Sequence, residues 1–187
     1  MAYATETSLK LYLGITVTTD DALLTNLLNA ATAAIETYTH RCFAAITETR
    51  YFDEDDVDGD VLTLDDDLYS VTSIVNGEGN TVTAYWLLPR NAGPPYWQIK
   101  LKEGSAYDWD FDTDDEIDVT GRWGYSLTPP GDIEHACIRL AAYYYRQKDA
   151  QVFDVTAQPD QGILTIPQGI PKDVKVILDP YRKLGVF

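Results

Sequence analysis

The stretch DDALLTNLLNAATAAIETYTHRCFAAITETRYF, Asp20 to Phe52, changes its hydrophobic period midway, and that change decides the fold. In its first half Leu24, Leu27, Leu28, Ala31, Ile35 and Tyr38 recur at three- and four-residue steps, with Thr25, Asn29, Thr32, Glu36 and Thr39 on the other side. Such spacing lays the apolar set along one stripe, so an amphipathic helix of about six turns is expected. Thr18 with Asp21 three residues on has the form of a capping box, and Asp20 and Asp21 suit the positive end of the helix dipole. From Ile46 to Phe52 the residues turn β-branched and aromatic, the signature of a strand.

Working outward, residues 5–13 read as a short helix capped by Thr5 and stopped by Gly14. Beyond Phe52 come further short β-like runs, Val61 to Leu64, Val71 to Val75, Thr81 to Leu87, Tyr96 to Leu101 and Glu116 to Tyr125. NGEGN, with Gly77 and Gly79, reads as a hairpin turn and Asn91 to Pro95 as a loop. After TPPG the helical period returns, with Ile133, Ala136, Cys137, Leu140, Ala141 and Tyr144 on one stripe and Asp132 as a candidate cap. Residues 151–170 read as a long loop with one β-like run, Ile163 to Ile166, and loops of that length are usually functional. A last helix starts near Pro171, faces inward through Val174, Ile177, Leu178 and Tyr181, and is bent or ended by Pro180. The expected fold class is therefore α+β: a helical bundle frame, residues 1–45 and 126–187, with an inserted small antiparallel β-sandwich or barrel over 46–125.

Charge follows the same partition. Residues 1–50 carry 5 acids and 3 bases, residues 51–120 carry 18 and 3, and residues 121–187 carry 7 and 8, so nearly all of the net −16 belongs to the middle. A polyanion has no counterion-release advantage on nucleic acid or anionic lipid, which disfavours gripping either. With 45% apolar residues the chain is nevertheless a folded one. No apolar run reaches membrane-spanning length, and the N-terminus lacks a signal-peptide pattern. Cys42 and Cys137 do not make a disulfide framework; both fall in expected helices and read as reduced, buried thiols of a protein made in the cytoplasm.

Few residues offer chemistry. DEDDVDGDVLTLDDD, residues 53–67, approximates a calcium-binding loop when read from Glu54, with Asp56, Asp58 and Asp60 at alternate positions, Gly59 at the turn and Asp65 at the end. Position one should be Asp and the last a longer Glu, and the flanks read as strands, so a solvated acidic loop is preferred and no metal is expected. The run from Asp108 to Asp118, with Trp109 and Phe111 among its acids, could hold a sugar or cation, but a charged sheet edge accounts for it better. His40 and His135 each stand two residues from a cysteine, a spacing that points the side chains apart on a helix. With no nucleophile elbow, phosphate loop or metalloprotease motif, no enzyme and no cofactor are expected. Tyr143, Tyr144 and Tyr145 fan across about 200° of one helix, so one face cannot bury all three. Some of them are candidates for packing against a neighbouring subunit.

SLKLYLGI, then the long helix with Arg41 leading into the β region, then PGDIEHACIRLAAYYYRQKD and finally IPKDVKVILDPYRK, together resemble the head-to-tail connector proteins of tailed bacteriophages, also called adaptor or head-completion proteins. The resemblance covers both helical ends and, more loosely, the insertion. It implies a virion structural protein at the head-to-tail interface, assembled in the host cytoplasm. Its copies would form a ring, usually of twelve, that joins the portal protein of the DNA-filled head to the next connector, stopper or tail protein. Viral DNA would pass through without specific binding, and no membrane would be involved. By the same analogy Tyr181, Arg182, Lys183 and Phe187 would dock on the portal, and the loop holding Gln151, Asp154, Gln158, Asp160 and Gln161 would line the channel. The alternative is another tail or baseplate structural protein with a glycan- or calcium-binding β module.

Overall fold

The computed structural model describes residues 2–111, 117–150, 156–158, 162–164 and 169–183. The chain divides into two compact units, one of Met1–His40 with Pro129–Phe187 and the other of Arg41–Thr128.

The first unit is helical: α1 (Glu6–Leu13), α2 (Asp21–Thr39), α3 (Gly131–Ala150) and α4 (Lys172–Leu178), with α3 packed against the other three. Thr5 caps α1 by accepting the Ser8 N–H at 3.1 Å, and Gly14 closes it in the left-handed region at φ 73°. The core is Leu9, Leu24, Leu28, Ala31, Ile35, Ile133, Ala136, Cys137, Leu140, Ala141, Val174 and Leu178. Two expectations about α2 are corrected. Its N-cap is Asp20 rather than Thr18, and the Asp20 side chain makes no capping bond because α3 claims it. Thr32 and Thr39, expected on the polar side, are buried. Each hydroxyl is satisfied inside the bundle: Thr32 Oγ1 accepts the Tyr3 N–H at 3.1 Å, and Thr39 Oγ1 donates to the Ile35 carbonyl at 2.8 Å. Cys42 lies beyond α2, which ends at His40 with φ 53°, so only Cys137 is a helical, fully buried thiol.

The second unit is a six-stranded antiparallel sheet of β1 (Ile46–Phe52), β2 (Val57–Asp58), β3 (Val61–Val75), β4 (Tyr85–Leu88), β5 (Tyr96–Leu101) and β6 (Ile117–Trp123). Strand order is β1-β6-β3-β5-β4, with β2 paired to β3. Two short runs in the sequence, Val61 to Leu64 and Val71 to Val75, prove to be one strand of 15 residues. Its first half pairs with β5 and its second with β6, and the register shift against β5 between Thr63 and Leu68 spans the acidic interruption Asp65–Asp67. The expected strand from Thr81 shrinks to Tyr85–Leu88, leaving Thr81 as a single bridge to Val75 across the NGEGN turn. Phe52, Leu62, Leu68, Ile74, Ile99, Ile117, Val119 and Trp123 form the core between these strands. Gly121 allows β6 and β3 to approach: a Cβ there would stand 2.4 Å from the Ser70 carbonyl oxygen.

Candidate functional site

Three surfaces carry the residues singled out by sequence. The first is the end of the helical unit, where Pro180 converts α4 into a 3₁₀ turn over Asp179–Tyr181. Tyr38 Oη donates to Asp179 at 2.6 Å, and that bond to the carboxylate, aided by burial, pushes the Tyr38 phenol pKa up. The guanidinium carbon of Arg182 lies 5.6 Å from the Tyr38 ring centroid and Lys175 Nζ 5.7 Å. Tyr181 Oη donates to Asp132 at 3.3 Å, and the Lys183 N–H to the Thr39 carbonyl at 2.8 Å. The turn that holds Tyr181, Arg182 and Lys183 is thus fastened to α2 and α3, with Arg182 exposed. Phe187 lies outside the described residues.

The second surface is the far end of α3. Tyr143, Tyr144 and Tyr145 are each half-buried, with the first two rings 6.1 Å apart. Burial raises the Tyr144 pKa, followed by the neighbouring Tyr143. Tyr145 is taken up within the unit: its hydroxyl donates to Asp20 at 2.5 Å, where Lys148 Nζ also arrives at 2.9 Å and lies 4.1 Å from the Tyr145 ring. The hydrogen bonds from Tyr145 and then Lys148 hold the Asp20 carboxyl below its ordinary range. Beyond α3 the expected long loop contains a hairpin, β7 (Thr156–Gln158) paired with β8 (Gly162–Leu164). Gln158 closes β7; Gln151, Asp154, Asp160 and Gln161 lie outside the described residues.

The third is the acidic insertion. The four candidate calcium ligands are not brought together. Asp53 to Asp56 form a self-capped 3₁₀ turn, in which Asp53 accepts the Asp55 N–H at 2.9 Å and Asp56 the Asp53 N–H at 3.2 Å. Asp58 sits in β2 and Asp60 pairs with Lys100 at 3.2 Å. Gly59, at φ 61°, serves the tight turn between β2 and β3 instead of the centre of a wrapped loop. Among the described residues no three His, Cys, Asp or Glu side chains converge as a metal site would need. His40 and His135 are exposed.

Sequence reasoning passed over one cluster. Trp86, at the sheet edge in β4, has the Arg90 guanidinium carbon 3.4 Å and Lys102 Nζ 4.2 Å from its ring centroid. Beside it opens a cavity of about 690 Å³ lined by Trp86, Lys100, Lys102, Ser105 and Trp109, together with the acids Asp60, Glu103 and Asp108. The signal that could have revealed it is negative: no Asp or Glu occurs between Gly79 and Lys102, inside the most acidic third of the chain.

A family model described as "Head completion protein" matches residues 3–184. Among solved structures, a chain in the neck of an empty gene transfer agent particle, computed with C6 symmetry, superposes with a TM-score of 0.65 at 22% identity, covering 99% of this chain and 92% of that one. A chain of the native gene transfer agent virion gives the same values. One from the native neck computed with C12 symmetry gives a TM-score of 0.59 at 23% identity, covering 89% and 85%. These likenesses are of fold. No curated protein matches.

Proposed function

The chain belongs to the head completion protein family, and from that premise we propose that it is a non-enzymatic adaptor whose copies form a ring between the portal of a DNA-filled head and the next connector or tail protein. The observation that carries this reading is the family match across both units, including the insertion, over residues 3–184. The similar gene transfer agent chains come from particle necks computed with C6 and C12 symmetry, which favours a ring of twelve copies here. Assembly would take place in the host cytoplasm and the product would be part of the virion.

Within that ring the fastened C-terminal turn is the portal-facing element. A docking surface gains by being pre-organised, because less freedom is lost on binding. Tyr181, Arg182 and Lys183 start from such a turn, with Phe187 following. Tyr143, Tyr144 and Tyr145, each half-buried on one helix, are the candidates for subunit packing. The segment from Gln151 to Gln161, with Asp154, Gln158 and Asp160, would line the channel. An acidic chain suits a conduit that must let DNA slide without holding it.

Negative-stain images of the purified chain, alone and with a cognate portal, test the reading. A ring with a central hole that stacks on the portal supports it, and a portal that fails to retain the chain overturns it. Arg182→Ala with Lys183→Ala should weaken portal capture while leaving the ring intact.

A further inference from the structure

Arg90, Lys100 and Lys102 are the three bases of residues 51–120, against 18 acids, and the β4–β5 hairpin gathers all of them round one indole. Lys100 stands directly opposite Trp86 in the register and is paired with Asp60. Arg90 and Lys102 lie over the ring, and among the described residues neither forms an ion pair. β4 is an edge strand and Trp86 is 39% exposed, so the cluster faces outward. A cation over an indole is electrostatically favourable, yet its N–H donors remain available: up to five on Arg and three on Lys. Two such cations, with no carboxylate paired to either among the described residues, make a surface suited to an acid from outside this copy. Because the indole already carries cations, the site favours carboxylates over the stacking of a neutral sugar.

The chain itself carries a matching acid. The Asp53–Asp56 turn holds its own backbone in place through the Asp53 and Asp56 side chains, and Glu54, Asp55 and Asp58 are exposed and outside any ion pair among the described residues. We propose that the Trp86 edge, through Arg90 and Lys102, binds the acidic turn Asp53–Asp58 of a second copy of the chain. Copies of charge −16 repel one another, so bringing them together needs local contacts of opposite sign. A closed ring needs two different, complementary patches on every copy, and this pair meets that requirement. Asp60, Glu103 and Asp108 share the neighbouring cavity, so charge places the incoming carboxylates at the Trp86 rim. The inference rests on the ring reading above.

Charge exchange tests it. In one full-length variant Arg90 and Lys102 become Glu; in a second Glu54 and Asp55 become Lys. Self-association of each is followed by native mass spectrometry and sedimentation, with circular dichroism confirming that each is folded. Each variant alone should associate at least about tenfold more poorly than the unmodified chain, because like charges then face each other, and an equimolar mixture should restore assembly. Unchanged assembly of either variant alone, or a mixture that stays dissociated while the unmodified chain forms rings, overturns this contact and leaves the ring reading standing. If the unmodified chain stays monomeric but the mixture associates, the contact survives; if neither associates, the contact falls; in both cases the portal experiment above decides the ring reading separately.

Discussion

Replacing Arg41 by Met tests what closes the β unit at the point where the chain enters it. Arg41 Nη1 donates to both oxygens of Asp67, at 2.7 and 2.5 Å, and its guanidinium carbon lies 5.5 Å from the Tyr125 ring centroid. The backbone crosses at the same place: Gly124 N–H donates to the Asp67 carbonyl and Tyr125 N–H to the Cys42 carbonyl, both at 2.7 Å. Asp67 is 1% exposed, so without the cation its charge stays in a site that water barely reaches. Breaking such a pair from one side costs about 3–5 kcal/mol; the 19% exposure of the Arg41 side chain argues for the lower end, about 3 kcal/mol. Removing both charges, as Arg41→Met with Asp67→Leu, should recover most of that loss, because no uncompensated ion remains. All four tryptophans, Trp86, Trp97, Trp109 and Trp123, lie in Arg41–Thr128, so urea unfolding followed by tryptophan fluorescence reports this unit. Far-UV circular dichroism is weighted toward the helices. A loss below about 1 kcal/mol for Arg41→Met, or a double variant no more stable than the single one, would refute the reasoning.

The other predictions concern the sheet, the Asp20 cluster and the thiols. Gly121→Ala should destabilise the β unit by about 1–3 kcal/mol in the same fluorescence experiment, because its Cβ would press on the Ser70 backbone oxygen and neither strand can yield without breaking the β3–β6 ladder. Asp20, held below its ordinary range by Tyr145 first and Lys148 second, contributes stability that is complete above the ordinary carboxylate value and is lost as pH falls through the folded value. Asp20→Asn should therefore flatten the acid limb of thermal stability below about pH 4, followed by circular dichroism; an unchanged limb would exclude this role. A thiol reagent on the native protein should modify Cys42 well before Cys137, which is fully buried and whose pKa burial drives up; equal rates would contradict the packing of α3.

How much of this was legible in the sequence depends on the range of the interactions. Helix boundaries set by local chemistry, the Thr5 cap and the Gly14 stop, could be read from a few residues. So could β1 and β5, whose bounds depend on a single run of β-formers. The fate of Asp20 could not: its expected place in a helix start was right, but its side chain is claimed by residues 125 and 128 positions away. The same holds for Thr32, polar by type and buried by its contacts with Tyr3 and Cys137. The acidic gap at Asp65–Asp67 looked like a break between strands because charge is a reasonable reason to end one. Arg50 and Arg41 neutralise those acids from strands and loops that adjacency in sequence does not reveal, and β3 runs through.

The site shows the same division more sharply. The acidic run resembles a calcium loop only along the chain, whereas coordination needs carboxylates round a point; the turn at Gly59 leaves Asp58 at the end of β2 and Asp60 just before β3. Net charge speaks to a different scale. A total of −16 describes repulsion at distances beyond the size of a side chain, where the sign of the sum governs. Contact between copies is decided within a few ångströms, where screening by salt and the arrangement of single groups outweigh the sum. In the contact proposed above the acid-free interval from Gly79 to Lys102 would supply the opposite sign at that scale, and the Arg90→Glu, Lys102→Glu variant changes the total by four charges toward still more negative. A control that adds the same four negative charges on the helical unit would separate the two scales: if both variants lose assembly equally, the total governs, and if only the Trp86 edge matters, the local contact does.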